Sequence, residues 1–361
     1  MRALDLSTAS VASWGTLHER ALEQNPFFEP ACVMAAARHL PRGDAIQVLL
    51  AEVDGSVVGC MPLRALPRWH WSRRGTATTR VRRLTWLGTP LLDRTRADEA
   101  MAAMLAHLRG RRHQSGSHLL AIEWMHAGGP VAEVLRRTAA RLRLPVGHGE
   151  QFERPAFSVL PSGSGHEPAA PVRRQHTMGK KRRRLASHHG SVEVVDRAGD
   201  PVAIDALIAL EAEGYKGRDG IALTCWAGEP QWFREMCSAF AADGRTVVTT
   251  LTTGGQTAAT MAAITAGDGA FLCITTYDEA FSAYSPGAQL HYDTMDVLAR
   301  AHFRKIDTCT YAGNESLAYL YPDRIPMATF LVGLGSPVER ALLGALPAAR
   351  RARAGVARLV R

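Results

Sequence analysis

The stretch that decides the fold lies at residues 246–277 and reads TVVTTLTTGGQTAATMAAITAGDGAFLCITTY. Runs rich in threonine and other strand-forming residues at Thr246–Leu251, Thr257–Ala266 and Ala270–Tyr277 predict three strands. Short glycine-containing turns join consecutive runs, which is typical of antiparallel neighbours. The sequence therefore predicts a three-stranded antiparallel meander.

Helical and extended patterns on both sides of this meander complete an α/β unit. Ile204, Leu207 and Ile208 share one face of a helix expected before the meander. The expected elements are, in order, a helical basic stretch ending at His189, a strand Ser191–Asp196, helices Pro201–Glu213 and Gln231–Ala242, the meander, a helix Ala288–Phe303, a strand Lys305–Cys309, a short helix near Asn314–Tyr321 and a strand near Met327–Val332.

The first half of the chain alternates the same patterns and predicts a second mixed α/β unit. Its expected elements are helices Trp14–Gln24, Pro30–Leu40, Thr95–Arg109 and Pro130–Arg141, and strands Ala45–Glu52, Ser56–Arg64, Val81–Leu87, Leu119–Ile122 and Glu150–Val159. Residues 161–171 are rich in Pro, Gly and Ser and predict a linker. We therefore expect domains at residues 1–160 and 172–335, followed by a basic tail at 336–361.

The positive charge of the chain is concentrated in two short segments. There are 43 Lys and Arg against 34 Asp and Glu, a formal net charge of +9. Arg173–Arg184 holds seven basic residues and Arg350–Arg361 holds five, with no acid in either. This distribution argues against a nucleic-acid-binding protein with charge spread over a whole face, and indicates two local basic elements. No DNA partner is expected.

Membrane, secretion and metal signals are not visible in the sequence. It contains no apolar run of eighteen residues and no signal-like start, so we expect a cytoplasmic protein. The six cysteines are far apart with no C-x-x-C pair, and we expect them to be buried thiols. The histidines lack metal-ligand spacing, so no metal is predicted.

The most informative stretch lies between a predicted strand and a predicted helix, and reads YDEAFSAYSPGAQL over residues 277–290. The first N–H groups of a helix have no internal partner and lie at the positive end of the helix dipole, which makes them a natural pyrophosphate-binding site. Gly287 leaves room for a phosphate to approach the backbone. The residues expected to form this site are Ser285, Pro286, Gly287, Ala288, Gln289 and Leu290.

This stretch resembles a signature of the cellulose-biosynthesis-associated (CelD/BcsL-like) acetyltransferases. That family belongs to the GNAT superfamily and is related in architecture to the FemAB peptidyltransferases. Matching segments occur in the expected order at 25–30 (NPFFEP), 211–223 (EAEGYKGRDGIAL), 233–251 and 307 with 321–324 (YPDR). Departures are Tyr215 in place of a Trp, Thr275 and Thr276 in place of a Lys, and Asn314 in place of a His.

The resemblance implies an α/β fold of tandem GNAT-like domains and an acyl-CoA co-substrate. Acyl transfer from a thioester needs a phosphate-binding site, donors for the thioester oxygen, a base for the nucleophile and an acid for the thiolate. Backbone N–H groups of strand Ala270–Tyr277 are expected to polarise the carbonyl. Candidate bases are Glu213 and Asp278, and candidate acids are Tyr284 and Tyr319. Residues expected to bind substrate are Tyr215, Lys216, Tyr277, Asp307 and Arg324.

Three functional hypotheses remain open at this point. The first is an acyl-CoA-dependent N- or O-acyltransferase that acts on a small-molecule or saccharide acceptor, such as an envelope or exopolysaccharide precursor. The second is a FemAB-like transferase that uses aminoacyl-tRNA, which the basic helix favours. The third is a non-catalytic binding protein of polysaccharide assembly, consistent with the absent strand lysine.

Overall fold

The computed structural model describes residues 5–66, 75–81, 83–158, 172–311, 313, 317–335 and 337–345. The chain divides into two compact units, and neither is one continuous segment. The first unit consists of Met1–Ala37, Arg42–Phe152 and Pro326–Arg361, and the second of Arg38–Pro41 and Glu153–Ile325. The expected linker at 161–171 and most of the expected basic tail lie outside the described residues. The expected domain bounds stay a prediction.

The first unit is a mixed sheet flanked by helices. Its helices are α1 (Thr8–Gly15), nearly all of α2 (Pro30–His39), α3 (Ala97–Ser115) and α4 (Pro130–Arg141). Its strands are β1 (Gln47–Val53), β2 (Ser56–Leu66), β3 (Gly75–Thr78), β4 (Leu91–Leu92), β5 (Ser117–His126), the first half of β6 (Val146–Ser158) and most of β12 (Asp323–Gly333). Strand β3 runs parallel to β5, and the pairs β1–β2, β2–β3, β2–β4 and β5–β12 are antiparallel.

Local sequence accounts for much of this unit. The β1–β2 hairpin closes on Asp54 and Gly55, which both have positive φ, and such two-residue turns match the twist of paired strands. Met101, Met104 and Leu105 of α3 lie in the buried core with Phe330 of β12. The expected helix at Trp14–Gln24 instead starts at Thr8, where the Ser7 side chain caps the first turn, and continues as a 3-10 helix to Arg20.

The prediction of a strand at Val81–Leu87 is wrong, because the described part of this segment forms a turn and a loop. The side-chain amide of Asn25 donates to the carbonyls of Leu87 and Thr89, at 3.2 and 2.7 Å. These are hydrogen bonds of the kind that a neighbouring strand would otherwise supply. Gly88 packs so closely on β5 that a Cβ there would lie 2.1 Å from the carbonyl oxygen of Glu123. These tertiary contacts override the local β-propensity.

The second unit contains the meander. Its strands are the second half of β6, β7 (Val192–Asp196), β8 (Thr246–Thr253), β9 (Gln256–Ala266), β10 (Gly269–Tyr277) and β11 (Lys305–Asp307). Its helices are α5 (Val172–His189), α6 (Ala203–Glu213), α7 (Tyr215–Arg218), α8 (Glu229–Ala242) and α9 (Pro286–Arg300). Strands β7 to β10 pair antiparallel in sequence order, and β10 pairs parallel with β11. The predicted α/β class and the meander are confirmed.

Two smaller expectations need correction. Residues 317–320 form a turn where part of a short helix was expected, and 314–316 lie outside the described residues. Four cysteines, Cys32, Cys60, Cys237 and Cys309, are buried free thiols, but Cys225 is exposed and Cys273 is partly exposed. No helix in the described ranges is long and apolar enough to cross a membrane. No group of three or more His, Cys, Asp or Glu among those residues is placed to hold a metal ion.

Candidate functional site

Strand β10 has one edge that is only partly paired. Along β9 it pairs over its whole length, but its pairing with β11 covers only Gly269–Phe271. The register with β9 shifts between Leu272 and Ile274, which marks a bulge at Cys273. Backbone groups of β10 beyond Phe271 therefore have no partner from β11, and this edge can bond to a ligand.

The chain leaves β10 through a tight turn that ends at the start of α9. Asp278 accepts a hydrogen bond from the N–H of Ala280 (2.9 Å) and caps a short 3-10 helix that runs to Tyr284. Ser285 then has left-handed backbone angles, φ 54° and ψ 54°. The N–H of Gln289 makes a bond to the Ser285 carbonyl (3.1 Å), so the N–H groups of Gly287 and Ala288 lie ahead of the first helical bond.

The six residues expected to bind phosphate all lie at this helix start. Pro286, Ala288, Gln289 and Leu290 have buried side chains, so their contribution to a ligand is through the backbone. A Cβ at Gly287 would meet only Tyr277, at 3.5 Å, and would otherwise point into open space. The packing of the protein therefore does not require a glycine at residue 287, and its open surroundings leave room for a ligand.

A lysine from the basic helix reaches the same place. Helix α5 packs against the 3-10 helix and against α9. The Nζ of Lys181 donates to the Oγ of Ser285 at 2.6 Å. This puts a cation beside the positive end of the α9 dipole, an arrangement that an anion between them would stabilise. Sequence reasoning recognised the basic run, but not which of its members faces the helix start.

A buried acid and a lysine meet at the open edge of β10. The Nζ of Lys216 donates to Glu211 (3.0 Å) and to the carbonyl of Thr275 on β10 (2.9 Å). The other carboxylate oxygen of Glu211 accepts the N–H of Leu223 (2.9 Å), and Glu211 is 3% exposed. An ammonium group has three donors. Lys216, an expected substrate-binding residue, therefore uses two of them in these contacts.

His291 and Tyr321 form a buried neutral pair near this lysine. The Nδ1 of His291 lies 2.7 Å from the Tyr321 hydroxyl. Burial, with a further contribution from the positive charge of Lys216, lowers the pKa of His291 to about 3. Burial also raises the pKa of Tyr321 well above its ordinary value. Both groups are therefore uncharged at neutral pH, and His291 was not identified from the sequence.

The candidate tyrosines have different surroundings. Tyr215 and Tyr277 lie with ring centroids 6.1 Å apart, and burial is the main reason that the pKa of Tyr215 is raised. The hydroxyl of Tyr284 is 2.7 Å from the Nδ1 of His188 on α5, and its ring is buried. Tyr319 is 44% exposed. The roles expected for Tyr284 and Tyr319 as acids stay predictions.

The remaining expected residues fall in three places. Glu213 is exposed at the end of α6, whereas Glu211, two positions earlier, is the acid that points inward. Asp307 is buried and pairs with the fully buried Arg154 at 3.0 Å. Arg324 donates to main-chain carbonyls between residues 318 and 323. A substrate role for Asp307 and Arg324 stays a prediction.

One family model matches the segment of the chain that contains this site. Residues 172–318 match the family model described as acetyltransferase (GNAT) domain. This segment spans α5 to β11 and contains the open edge of β10 and the start of α9. No curated protein matches the sequence.

Solved structures resemble the chain along most of its length. A conserved protein of unknown function from Bacteroides thetaiotaomicron VPI-5482 has a TM-score of 0.57 at 10% identity and covers 91% of this chain and 98% of its own. The C-terminal domain of a putative lysylphosphatidylglycerol synthetase from Agrobacterium fabrum has a TM-score of 0.55 at 13% identity, with coverages of 92% and 94%. FemX has a TM-score of 0.55 at 9% identity, with coverages of 89% and 95%. These similarities show a shared fold.

Proposed function

We propose that the second unit transfers an acyl group from an acyl-CoA thioester directly to an amine or hydroxyl acceptor. One observation carries this proposal: Lys181 donates a hydrogen bond to Ser285 at the positive end of α9. This helix start follows β10, whose edge is unpaired with β11 beyond Phe271. A phosphate-binding helix start next to a strand edge that β11 leaves unpaired beyond Phe271 could provide the two contacts that a CoA thioester needs. The match of residues 172–318 to an acetyltransferase domain supports the same assignment.

Donor binding follows from the charges at the helix start. The N–H groups of Gly287 and Ala288 and the ammonium of Lys181 would hold the pyrophosphate of CoA. Each charge-assisted hydrogen bond of this kind contributes about 1.5–3 kcal/mol. We expect Tyr277 to lie beside the donor, because its ring is the nearest neighbour of the open space at Gly287.

The transfer step uses the edge of β10. The nucleophile attacks the thioester carbonyl carbon, the C–S bond breaks, and the thiolate leaves with a proton. We assign polarisation of the carbonyl oxygen to a backbone N–H of β10 beyond Phe271. The Lys216 ammonium, which contacts the carbonyl of Thr275 on the same strand and has a third donor, would stabilise negative charge there.

Two candidate bases and two candidate acids are available for proton transfer. Asp278 and Glu213 remain the candidate bases, and Tyr284 and Tyr319 the candidate acids. Glu211 is bonded to the Lys216 ammonium, which also contacts the Thr275 carbonyl, so we assign Glu211 a positioning role. We propose an envelope or exopolysaccharide precursor as acceptor, which rests on the family resemblance of the 277–290 signature.

Calorimetric titration with acetyl-CoA and with free CoA tests the donor site. We expect binding by the wild type, loss of binding in Gly287→Trp, and retention in the matched control Gly287→Ala, whose methyl group fits the open space. Lys181→Gln should weaken binding about tenfold, the loss of one charge-assisted hydrogen bond. Wild-type affinity in Gly287→Trp, or no binding by the wild type, would contradict the proposal.

A second candidate function is transfer from aminoacyl-tRNA. Two observations favour it: Lys180, Arg183 and Arg184 of α5 are exposed, and the chain shares its fold with FemX. Electrostatic binding of a polynucleotide weakens steeply as salt is raised. Salt-sensitive tRNA binding that is lost in a Lys180, Arg183 and Arg184 triple Gln variant, without CoA binding by the wild type, would support this function over the first.

A further inference from the structure

Two arginines of the first unit lie beside one buried carboxylate, and the charge of a third acts on one of them. Arg64 on β2 lies directly opposite Thr78 on β3, so their side chains share a face of the sheet. Thr78 donates its hydroxyl hydrogen to Glu123 of β5. The Nη1 of Arg80 lies 3.8 Å from the other oxygen of the Glu123 carboxylate. We call Arg42, Arg64 and Arg80 the arginine cluster.

Positive charge is concentrated in this cluster. The pKa of Arg64 is lowered, first by burial and then by the positive charges of Arg42 and Arg80, while Glu123 acts in the opposite direction. Glu123 is 6% exposed, and its negative charge opposes these cations in the interactions of Arg64. Like charges held together destabilise a fold unless an anion lies between them.

The geometry leaves one buried donor of the cluster unused. The Nε of Arg64 is buried and has no hydrogen-bond acceptor among the residues that the structure describes. The guanidinium of Arg80 stacks over the Trp124 ring, 4.9 Å from its centroid. Trp124 is in turn held by a bond from its Nε1 to Glu150 (2.9 Å). Stacking fixes the plane of a guanidinium and leaves the N–H groups at its edge free to donate.

We propose that the arginine cluster is a binding site for an oxyanion, either a phosphate or a carboxylate group of a ligand. Guanidinium groups pair with both through two parallel N–H bonds. A bound anion would satisfy Arg64 and offset the repulsion among the three cations. This site lies in the first unit and does not depend on the donor site proposed for the second.

Anion binding is best tested in the full chain carrying Gly287→Trp, which removes the other expected phosphate site. Inorganic phosphate and succinate are titrated by calorimetry at constant ionic strength, with chloride as the balancing anion. We expect binding of at least one anion, weakened about tenfold in Arg64→Gln and in Arg80→Gln, the loss expected for a charge-assisted hydrogen bond. Phosphate binding alone identifies a phosphate ligand, and succinate binding alone a carboxylate ligand.

Arg141→Gln is the matched control, because Arg141 is an exposed arginine of α4 in the same unit. It should bind the anion as the parent does. Arg64→Lys keeps the charge without the planar fork and should recover only part of the affinity. Equal affinity in the parent, Arg64→Gln and Arg80→Gln, or no binding of either anion by the parent, would overturn the proposal. Circular dichroism of each variant confirms that it is folded.

Discussion

At the scale of single residues, the charge state of the site is set by burial. His291 lies in contact with Tyr321 and close to the ammonium of Lys216, and neither neighbour offers a negative charge. A proton on its imidazole would therefore be both desolvated and repelled. The acid near this group, Glu211, is already bonded to Lys216 and to the N–H of Leu223.

His291 predicts a specific pH dependence of stability. Its pKa is about 3 in the folded chain against an ordinary value of 6.5, so between these pH values the unfolded chain binds a proton that the folded chain does not. The free energy of unfolding should then fall as pH falls through this window, by up to about 1.4 kcal/mol per pH unit from this group. The stability present above pH 6.5 is thus lost on acidification.

Urea unfolding of the wild type and of His291→Gln at pH 7, 6, 5 and 4 measures this effect. The stability difference between the two proteins should shrink as the pH is lowered, since Gln does not titrate. A difference that stays constant across the series would show that His291 is not held neutral by the fold.

Residue-level sequence reasoning found the segment but did not identify its inward-facing acid. Ala203, Leu207, Ile208 and Glu211 are the buried positions of α6 and share one face of the helix. That helical spacing was visible in the sequence and indicates Glu211, and not Glu213, as the inward carboxylate. Lys181 had no comparable signal, because seven basic residues fall within twelve positions and their direction depends on what α5 packs against.

At the scale of elements, close packing at Gly217 positions the lysine. A Cβ at Gly217 would lie 1.8 Å from the carbonyl oxygen of Ala212, so the end of α6 and the short α7 can approach this closely only around a glycine. Glu211 precedes Ala212 in the chain and Lys216 precedes Gly217, and their side chains form an ion pair at 3.0 Å. The packing of the two helices therefore holds the ammonium at β10.

Gly217→Ala should push α7 away from α6. We expect a loss of about 1–3 kcal/mol in unfolding free energy from overpacking. If Lys216 acts in transfer, turnover should fall further than stability explains, with CoA affinity unchanged. Gly199→Ala is the control, because a Cβ at Gly199 has no neighbour within 4 Å. Denaturant unfolding, calorimetry and acetyl-transfer rates measure the three quantities, and a variant with full stability and turnover would contradict this role for Gly217.

Strands were predicted well where their partners are close in sequence. The meander β8–β10 follows from β-propensity and short glycine turns, both local properties. The segment at Val81–Leu87 also contains strand-forming residues. Its carbonyl at Leu87 is bonded by a side chain 62 residues away, and the adjoining Gly88 packs on the backbone of β5. A local pattern carries no information about either contact.

At the scale of the whole molecule, the first unit is completed by a strand from the far end of the chain. Met327–Gly333 of β12 pairs with β5, and Phe330, Val332 and Leu334 lie in the core of this unit. A fragment of residues 1–160 lacks all of them. We expect it to show no cooperative thermal transition, because its sheet loses a strand and its core loses four buried side chains, these three and Ala328.

The control for this fragment joins residues 1–152 to 326–345 through a flexible glycine-serine linker, which restores the missing strand. Thermal unfolding followed by circular dichroism compares the two, and the joined protein should melt cooperatively. Cooperative unfolding of fragment 1–160 at the same temperature would support the domain bounds predicted from the sequence. It would contradict the inclusion of β12 in the first unit.

By itself, the sequence determined the α/β class, the order of most helices and strands, the meander and the turn that leads into α9. These features depend on local properties: hydrophobic periodicity, secondary-structure propensity and the positions of glycines in turns. Only the tertiary structure decided which charged residues meet: Lys181 with Ser285, Lys216 with Glu211 and Arg154 with Asp307. It also decided that β12 completes the first unit. The reason is physical, since contacts between distant segments depend on how elements pack, and identical side chains a few positions apart differ only in what faces them.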